Sequence, residues 1–384
     1  MAKREELPRK TLTAAYYLAF GLLGMTSGTM GPTLPGLAES AGVSLARASF
    51  FITLRTAGYF IGTVTAGRFY DGSPAHAVAA LALGTMVLTM GLVPVTPLFW
   101  LLLALLLLLG IAEGFLDVGG NILLTWLHRD AVGPFMNGLH FFFAAGAFVS
   151  PLVVAQTIRW TGDITWGYWA LALLIPPVAL WLLRLPAPPP VTDQEKGGEG
   201  GGSALLIALI ALFLFLYAGA ELTLGGWLAT YVIELGLGDE VIGSYLTSAF
   251  YGGLTLGRLL GIPLATRLRP RTLLVADLGG AFLGLLVILL GPGSVAATAA
   301  GSALLGLSMA SIFPTMISFA ERHLAVTGQV TSWLFTGVSL GVIIVPSIVG
   351  QFFESVGPRV VPLAALVSLL LAALLLGVLL RKRE

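Results

Sequence analysis

The chain has no cysteine among its 384 residues, so it can build neither a disulfide framework nor a thiolate metal site. Charge is scarce as well. Only 10% of residues are Asp, Glu, Lys or Arg, where a soluble domain carries about a quarter. The net charge of +1 offers no electrostatic footprint for nucleic acid. There is no Walker A loop, which argues against direct ATP-driven pumping. HExxH zinc sites and G-x-S-x-G nucleophile elbows are also missing. Tyr70–Asp71 and the segment Gly236 to Asp239 superficially match the two short motifs of intramembrane aspartyl proteases. The predicted topology places Asp71 and Asp239 on opposite sides of a membrane, so no enzyme is expected.

What the chain has instead is apolar length: 57% of it is hydrophobic. A spanning helix needs about 20 mostly apolar residues. Twelve stretches are read as spans, near 12–36, 48–69, 75–94, 98–127, 134–156, 165–185, 204–232, 241–266, 272–291, 295–320, 327–350 and 360–380. With the N-terminus inside, fifteen Lys and Arg fall in inner segments and only Arg47, Arg159 and Arg359 in outer ones. That asymmetry agrees with cytoplasmic N- and C-termini in a cell (inner) membrane. The basic start "MAKREELPRK" runs into a full span without a small-residue cleavage pattern, so no removable signal peptide is expected.

The polar interruption "LPAPPPVTDQEKGGEGGGS" reads as a cytoplasmic linker. It divides the chain into an N-terminal six-helix bundle (1–185), a linker (186–203) and a C-terminal six-helix bundle (204–384). A shift of 199 residues carries Phe51, Gly58, Gly62 and Arg68 onto Phe250, Gly257, Gly261 and Arg267. The expected fold is therefore all-α and membrane-embedded, with twelve helices in two six-helix pseudo-repeats and a solute site between them near mid-membrane. Spans 1, 4, 5, 7, 8, 10 and 11 are expected to line it. The glycines at four-residue spacing are read as close helix contacts, not as phosphate loops.

A charge at the bilayer centre costs at least about 2.5 kcal/mol, so ionisable groups inside spans are candidates for function. Glu113, Asp117 and Asn121 share one face of the fourth span at i, i+4, i+8. His140 on the fifth span is expected at the level of Asp117, giving an ion-coupling cluster of Asp117, Glu113 and His140. The bland alternative is a buried ion pair tying the two helices together. Arg55 either neutralises Glu113 or binds an anionic solute. Glu221, with Tyr217 a turn earlier and Trp227 further out, offers the acceptor and aromatic faces that hold a polyhydroxylated ligand, although both rings could instead be interfacial anchors. Asn121, Asn137, His140, Glu221, Tyr217, Trp227 and Trp333 are the expected solute contacts. Arg258 and Asp277 are read as a structural pair. Thr26, Ser27 and Thr29 of the Gly- and Pro-rich first span carry a weak signal as cavity hydroxyls.

"GTVTAGRFYDG" (Gly62 to Gly72) resembles the loop motif of the major facilitator superfamily, with Arg68 and Asp71 in its charged, gating positions. "SPAH" replaces the further basic residues of that motif. "GFLDVGGN", "YAGAE" and "FPTMISFA" are similar to segments of the fucose permease group, and "MNGLHFFFAAGAFVSP" resembles its sodium-dependent glucose branch. The resemblance implies a secondary transporter that imports a monosaccharide or small polyol with H⁺ or Na⁺ and needs no other cofactor. A monomer in the lipid bilayer is expected. In the fucose permease a carboxylate of the fourth helix is essential, and Asp117 occupies the matching position. That permease also has a carboxylate in its first helix, which this chain lacks, leaving H⁺, Na⁺ and uniport open. The alternative reading is a proton-coupled exporter of sugars or amphipathic drugs.

Overall fold

The computed structural model describes residues 8–189, 204–324 and 328–381, and within these the chain is helical without a strand. The helices are α1 (Arg9–Ser40), α2 (Leu45–Gly72), α3 (Ala75–Leu92), α4 (Phe99–His128) and α5 (Gly133–Thr161). Next comes α6, in two segments, Thr165–Leu173 and Ile175–Arg184. After the linker follow α7 (Ala204–Glu234), α8 (Glu240–Arg267) and α9 (Pro270–Leu290). The last three are α10, in two segments, Val295–Met309 and Ile312–Glu321, then α11 (Gly328–Val356) and α12 (Val360–Arg381). Helices are what lipid dictates, because each backbone N–H and C=O is satisfied within its own segment.

Among the described residues, nine of these elements are long and apolar enough to cross a membrane. The three that fall short are α1, α2 and α8, whose sequences are richest in Gly, Thr, Ser and internal Arg. All three touch helices of the other group of six, so they are shielded from lipid where their polarity would be most costly.

Two breaks follow from proline. Pro314 cannot donate to the Ala310 carbonyl and its ring crowds it, and α10 is interrupted at Ala310–Ser311. Pro176 and Pro177 do the same to α6 at Leu174.

The turns repeat between the two groups of six. Gly42 after α1 and Gly236 after α7 both take positive φ, 61° and 67°. Both ends close with the same bonds: Gly42 N–H to the Glu39 carbonyl with Val43 N–H to Ala38, and Gly236 N–H to Ile233 with Leu237 N–H to Val232. This is the Schellman closure that only a residue at ease in the left-handed region permits without strain.

α2 packs on α4, α1 on α5, α8 on α10 and α7 on α11. The seams are narrow because glycines meet backbone: a Cβ at Gly58 would fall on the Leu107 carbonyl, and one at Gly110 on the Arg55 carbonyl. Between the groups of six, α5 lies against α8, α2 against α11 and α1 against α7.

Candidate functional site

Glu113 and Asp117 project from α4 toward α2, where Arg55 and Tyr59 stand at the same four-residue interval. The result is a two-rung ladder. In the first rung the Arg55 guanidinium grips Glu113 with both arms, Nε to Oε2 at 2.9 Å and Nη2 to Oε1 at 2.5 Å. Its remaining donors reach the backbone of α1, Nη2 to the Thr26 carbonyl at 2.9 Å and Nη1 to the Ser27 carbonyl at 3.4 Å. A fork-on-carboxylate contact of this kind is strong and directional. Arg55 and Glu113 are 9% and 4% exposed, and theirs is the ion pair found among the described residues. Of the two readings of Arg55, the structure shows the neutralising one.

The second rung carries no cationic side chain among the described residues. The Tyr59 hydroxyl donates to Asp117 Oδ2, and Asn121 Nδ2 donates to Asp117 Oδ1 at 3.3 Å and to its carbonyl at 2.9 Å. Both partners are neutral.

His140 is not among them. Its ring lies edge-on to Phe20 of α1, with centroids 6.0 Å apart, and Phe20 also fills the space beside Gly120 of α4. The expected level pairing of Asp117 with His140 takes α4 and α5 as neighbours because they are consecutive in the chain. In the fold α1 packs between them, and α4's polar face turns to α2 instead. His140 and Asn137 are both exposed side chains on α5.

In the second group of six, the Tyr217 hydroxyl contacts both Glu221 Oε2 and the Met309 carbonyl at the end of the first segment of α10. Arg258 is within electrostatic range of Glu221 and bonds across to α5 through Nη1 and the His140 carbonyl, 3.3 Å. Tyr251 of α8 lies within range of both Glu221 and Arg55 and so stands between the two charge clusters. The expected Arg258–Asp277 pair does not form. Asp277 accepts instead from Ser311 Oγ at 2.7 Å. α9 has few contacts with α8 and many with α10, and that packing turns Asp277 toward α10.

Other expected residues are placed away from these clusters. Trp227 is fully buried, stacked on Phe353 of α11 at 5.2 Å, so it is neither an exposed ligand platform nor an interfacial anchor in this conformation. Trp333 is 57% exposed near the start of α11. Arg68 and Asp71 are exposed at the end of α2, without a side-chain bond among the described residues. Thr26 and Thr29 face packing, not a cavity: each bonds the carbonyl four residues back, and Thr29 also meets Ser150 at 3.0 Å.

The start of α1, the end of α6, the start of α7 and the end of α12 lie on one side of the helix array. Almost every bond between the two groups of six lies toward the other, far side. Thr53 meets Ser347 at 2.5 Å, and Gln351 Nε2 reaches the Ala46 carbonyl and Ser49 Oγ at 3.1 and 3.2 Å. Gln156 bonds Tyr245, and Ser248 Oγ reaches the Phe148 carbonyl at 2.8 Å. Among the described residues, the Arg258–His140 bond is the one nearer the terminal side. The far side is therefore the closed one.

Sequence reasoning missed Tyr59, Tyr251 and these far-side contacts. A signal for Tyr59 existed: it follows Arg55 by four residues as Asp117 follows Glu113. The others depend on which helices meet, which spacing along one helix does not encode.

Residues 16–346 match the family described as Major Facilitator Superfamily. Sodium-dependent glucose transporter 1 of Xenopus laevis is 28% identical over 392 residues, covering 92% of this chain and 78% of that protein. The Homo sapiens protein of the same name is 26% identical over 370 residues, covering 85% and 71%. The crystal structure of a mutant of the nucleoside transporter NupG superposes with a TM-score of 0.78 at 13% identity, covering 98% of this chain and 100% of that one. Twelve helices without a strand among the described residues, a glycine-sealed repeat and a family match across most of the length lead to one conclusion: the chain is a multi-pass membrane transporter, not an enzyme, and belongs to the major facilitator superfamily.

Proposed function

We propose that the protein imports a monosaccharide or similar small polyol by cation symport, with the two six-helix groups rocking about the solute. One observation carries this reading: of the two carboxylates on α4, Glu113 is matched by Arg55, whereas Asp117 has, among the described residues, only the neutral donors Tyr59 and Asn121. A carboxylate in low dielectric with no cation beside it is unfavourable to close over. A coupling cation at Asp117 removes that penalty, so the loaded carrier occludes readily and the empty one poorly. The coupling role thus narrows from three residues to Asp117, with Glu113 held in a structural clamp.

Glu221, Tyr217 and Tyr251 supply the acceptors and ring faces that a polyol needs, and Arg258 balances Glu221, so a neutral solute is the best electrostatic fit. The two relatives named for sodium-dependent glucose transport favour Na⁺ over H⁺ and a hexose over other polyols. The excess of Lys and Arg in the inner segments supports cytoplasmic termini, so the structure is closed toward the outside. The test is uptake into proteoliposomes with imposed Na⁺ or H⁺ gradients and a panel of labelled monosaccharides. Accumulation of one hexose under a Na⁺ gradient is the expected result. Downhill flux indifferent to both gradients would contradict symport.

A further inference from the structure

The transport reading leaves Trp227 of α7 unused. The ring is fully buried, yet its Nε1–H has no hydrogen-bond partner among the described residues, and the same holds for the hydroxyls of Thr223 and Thr230. These two threonines stand four residues before and three after Trp227, on the same face of α7. In contrast, the Thr247 and Thr255 hydroxyls of α8 turn back to the carbonyl four residues earlier. A buried N–H or O–H is normally bonded, and one left unbonded penalises the conformation that buries it. The indole edge that carries Nε1 also carries Cζ2, which lies 3.0 Å from where a Cβ on Gly350 of α11 would stand. Ser49 of α2 fills that same point: its Cβ would overlap such a Cβ, and its Oγ is 2.6 Å away. Gln351, next on α11, holds Ser49 there, donating from Nε2 to Ser49 Oγ and to the Ala46 carbonyl. On the far side, then, a side chain from the first group of six plugs a notch in the second.

We propose that this notch, formed by Gly350, Gln351 and the N–H edge of Trp227, is an outer subsite for the hexose, vacated by Ser49 when the far side opens. The inference rests on the import reading and adds to it the place where the solute is first held. As α2 withdraws, Ser49 leaves the space beside Gly350, and the Gln351 amide loses both of its acceptors. The freed amide offers two donors and an acceptor, and Trp227 Nε1 offers a further donor. These groups are uncharged, so they suit the hydroxyls of a neutral solute. Phe353, stacked on the indole at 5.2 Å, holds the ring so that its N–H edge keeps its place. Ser49 and the solute cannot share the notch, so the far side closes only after the solute has moved on toward Glu221.

The test compares half-saturation of uptake by the full-length protein in right-side-out membrane vesicles, which present the far side, and in inside-out vesicles, which present the terminal side. Labelled D-glucose, D-galactose and D-mannose are used in parallel. Trp227→Phe keeps the stack on Phe353 and removes the N–H. It should raise the far-side value about three- to tenfold, the worth of one hydrogen bond, and leave the terminal-side value unchanged. A second variant moves the plug from α2 to α11: Ser49→Gly makes room for Gly350→Ala, so the seam still closes but the notch is filled in both states. It should raise the far-side value alone as well. Equal rises on both sides, or none on the far side, would overturn the subsite and leave import intact. A parent protein that moves none of the three hexoses would overturn the import reading and the subsite with it.

Discussion

The seam between α2 and α4 and the seam between α8 and α10 have similar packing but different chemistry. In the first, a Cβ at Gly58 would strike the Leu107 carbonyl. In the second, one at Gly257 would strike the Leu307 carbonyl. Gly110 enters against Arg55 and Tyr59, and Gly306 against Phe250 and Leu254, one turn displaced. Taking Gly58 with Gly257 and Leu107 with Leu307 as equivalents, Arg55 and Tyr59 correspond to Leu254 and Arg258, and Glu113 and Asp117 to Phe313 and Ile317. Close backbone approach, which drives helix association in lipid, is preserved on both sides. The polar ladder exists on one side alone. The carboxylates of the second group move to Glu221 on α7 and Asp277 on α9, while Arg258 stays beside the glycine seam without, among the described residues, an acidic partner on α10. The repeat thus supplies matched moving bodies, and a handful of positions makes them chemically unequal.

This comparison can be broken most forcefully at its charged rung. Arg55→Leu leaves the Glu113 carboxylate buried without a partner, a loss of about 3–5 kcal/mol. Adding Glu113→Leu imitates the apolar second seam and should recover most of the loss. Thermal unfolding of the purified single and double variants reads this directly. A single variant as stable as the parent would mean that the clamp is not holding the seam.

The shared packing makes a second prediction. Gly110→Val and Gly306→Val each push side chain into a facing carbonyl, and both should lose about 1–3 kcal/mol by the same unfolding measurement. A large loss in one seam and none in the other would show that the two are not packed alike.

The asymmetry of chemistry is sharpened by Glu221→Gln. Hexose affinity, read by equilibrium binding, should fall about tenfold, equivalent to 1.4 kcal/mol, while cation dependence persists. Loss of cation dependence with hexose affinity intact would reverse the division of roles between the groups.

The smallest effect is expected at the far side. Thr53→Val and Gln156→Ala each remove a hydrogen bond worth about 0.5–1.5 kcal/mol across the seam. Each should increase external labelling of a cysteine introduced at Ile52, which is 4% exposed and lies against Gly226 of α7, by about two- to tenfold. Unchanged labelling would show that these bonds do not hold the outside shut.

Much of this architecture is legible in the sequence because lipid leaves few choices. Apolar runs of sufficient length become helices, Pro314 and Pro176–Pro177 break two of them, and Gly42 and Gly236 mark matched ends. The candidate residues are legible too, since Glu113, Asp117 and Glu221 are conspicuous in apolar surroundings. Their partners are not. Pairing depends on which helices are neighbours in space, and chain order misleads here: α4 follows α3 and precedes α5 yet turns its carboxylates to α2. For the same reason Arg258 and Asp277, on consecutive helices, do not meet. Trp227 reads as an amphipathic ring at a membrane depth suited to an anchor, but the face it occupies is stacked on α11.

The most direct measurement of the central claim compares Asp117→Asn with the Arg55→Leu/Glu113→Leu pair in proteoliposomes, following both gradient-driven accumulation and counterflow exchange of the hexose proposed as its substrate. Asn keeps the shape of Asp117 and removes its charge, imitating the cation-loaded state. Asp117→Asn should therefore exchange hexose across the membrane while accumulating none against a gradient, and the paired clamp variant should retain accumulation. Full accumulation by Asp117→Asn, or loss of coupling in the clamp pair with Asp117 intact, would contradict the assignment of the coupling cation to Asp117.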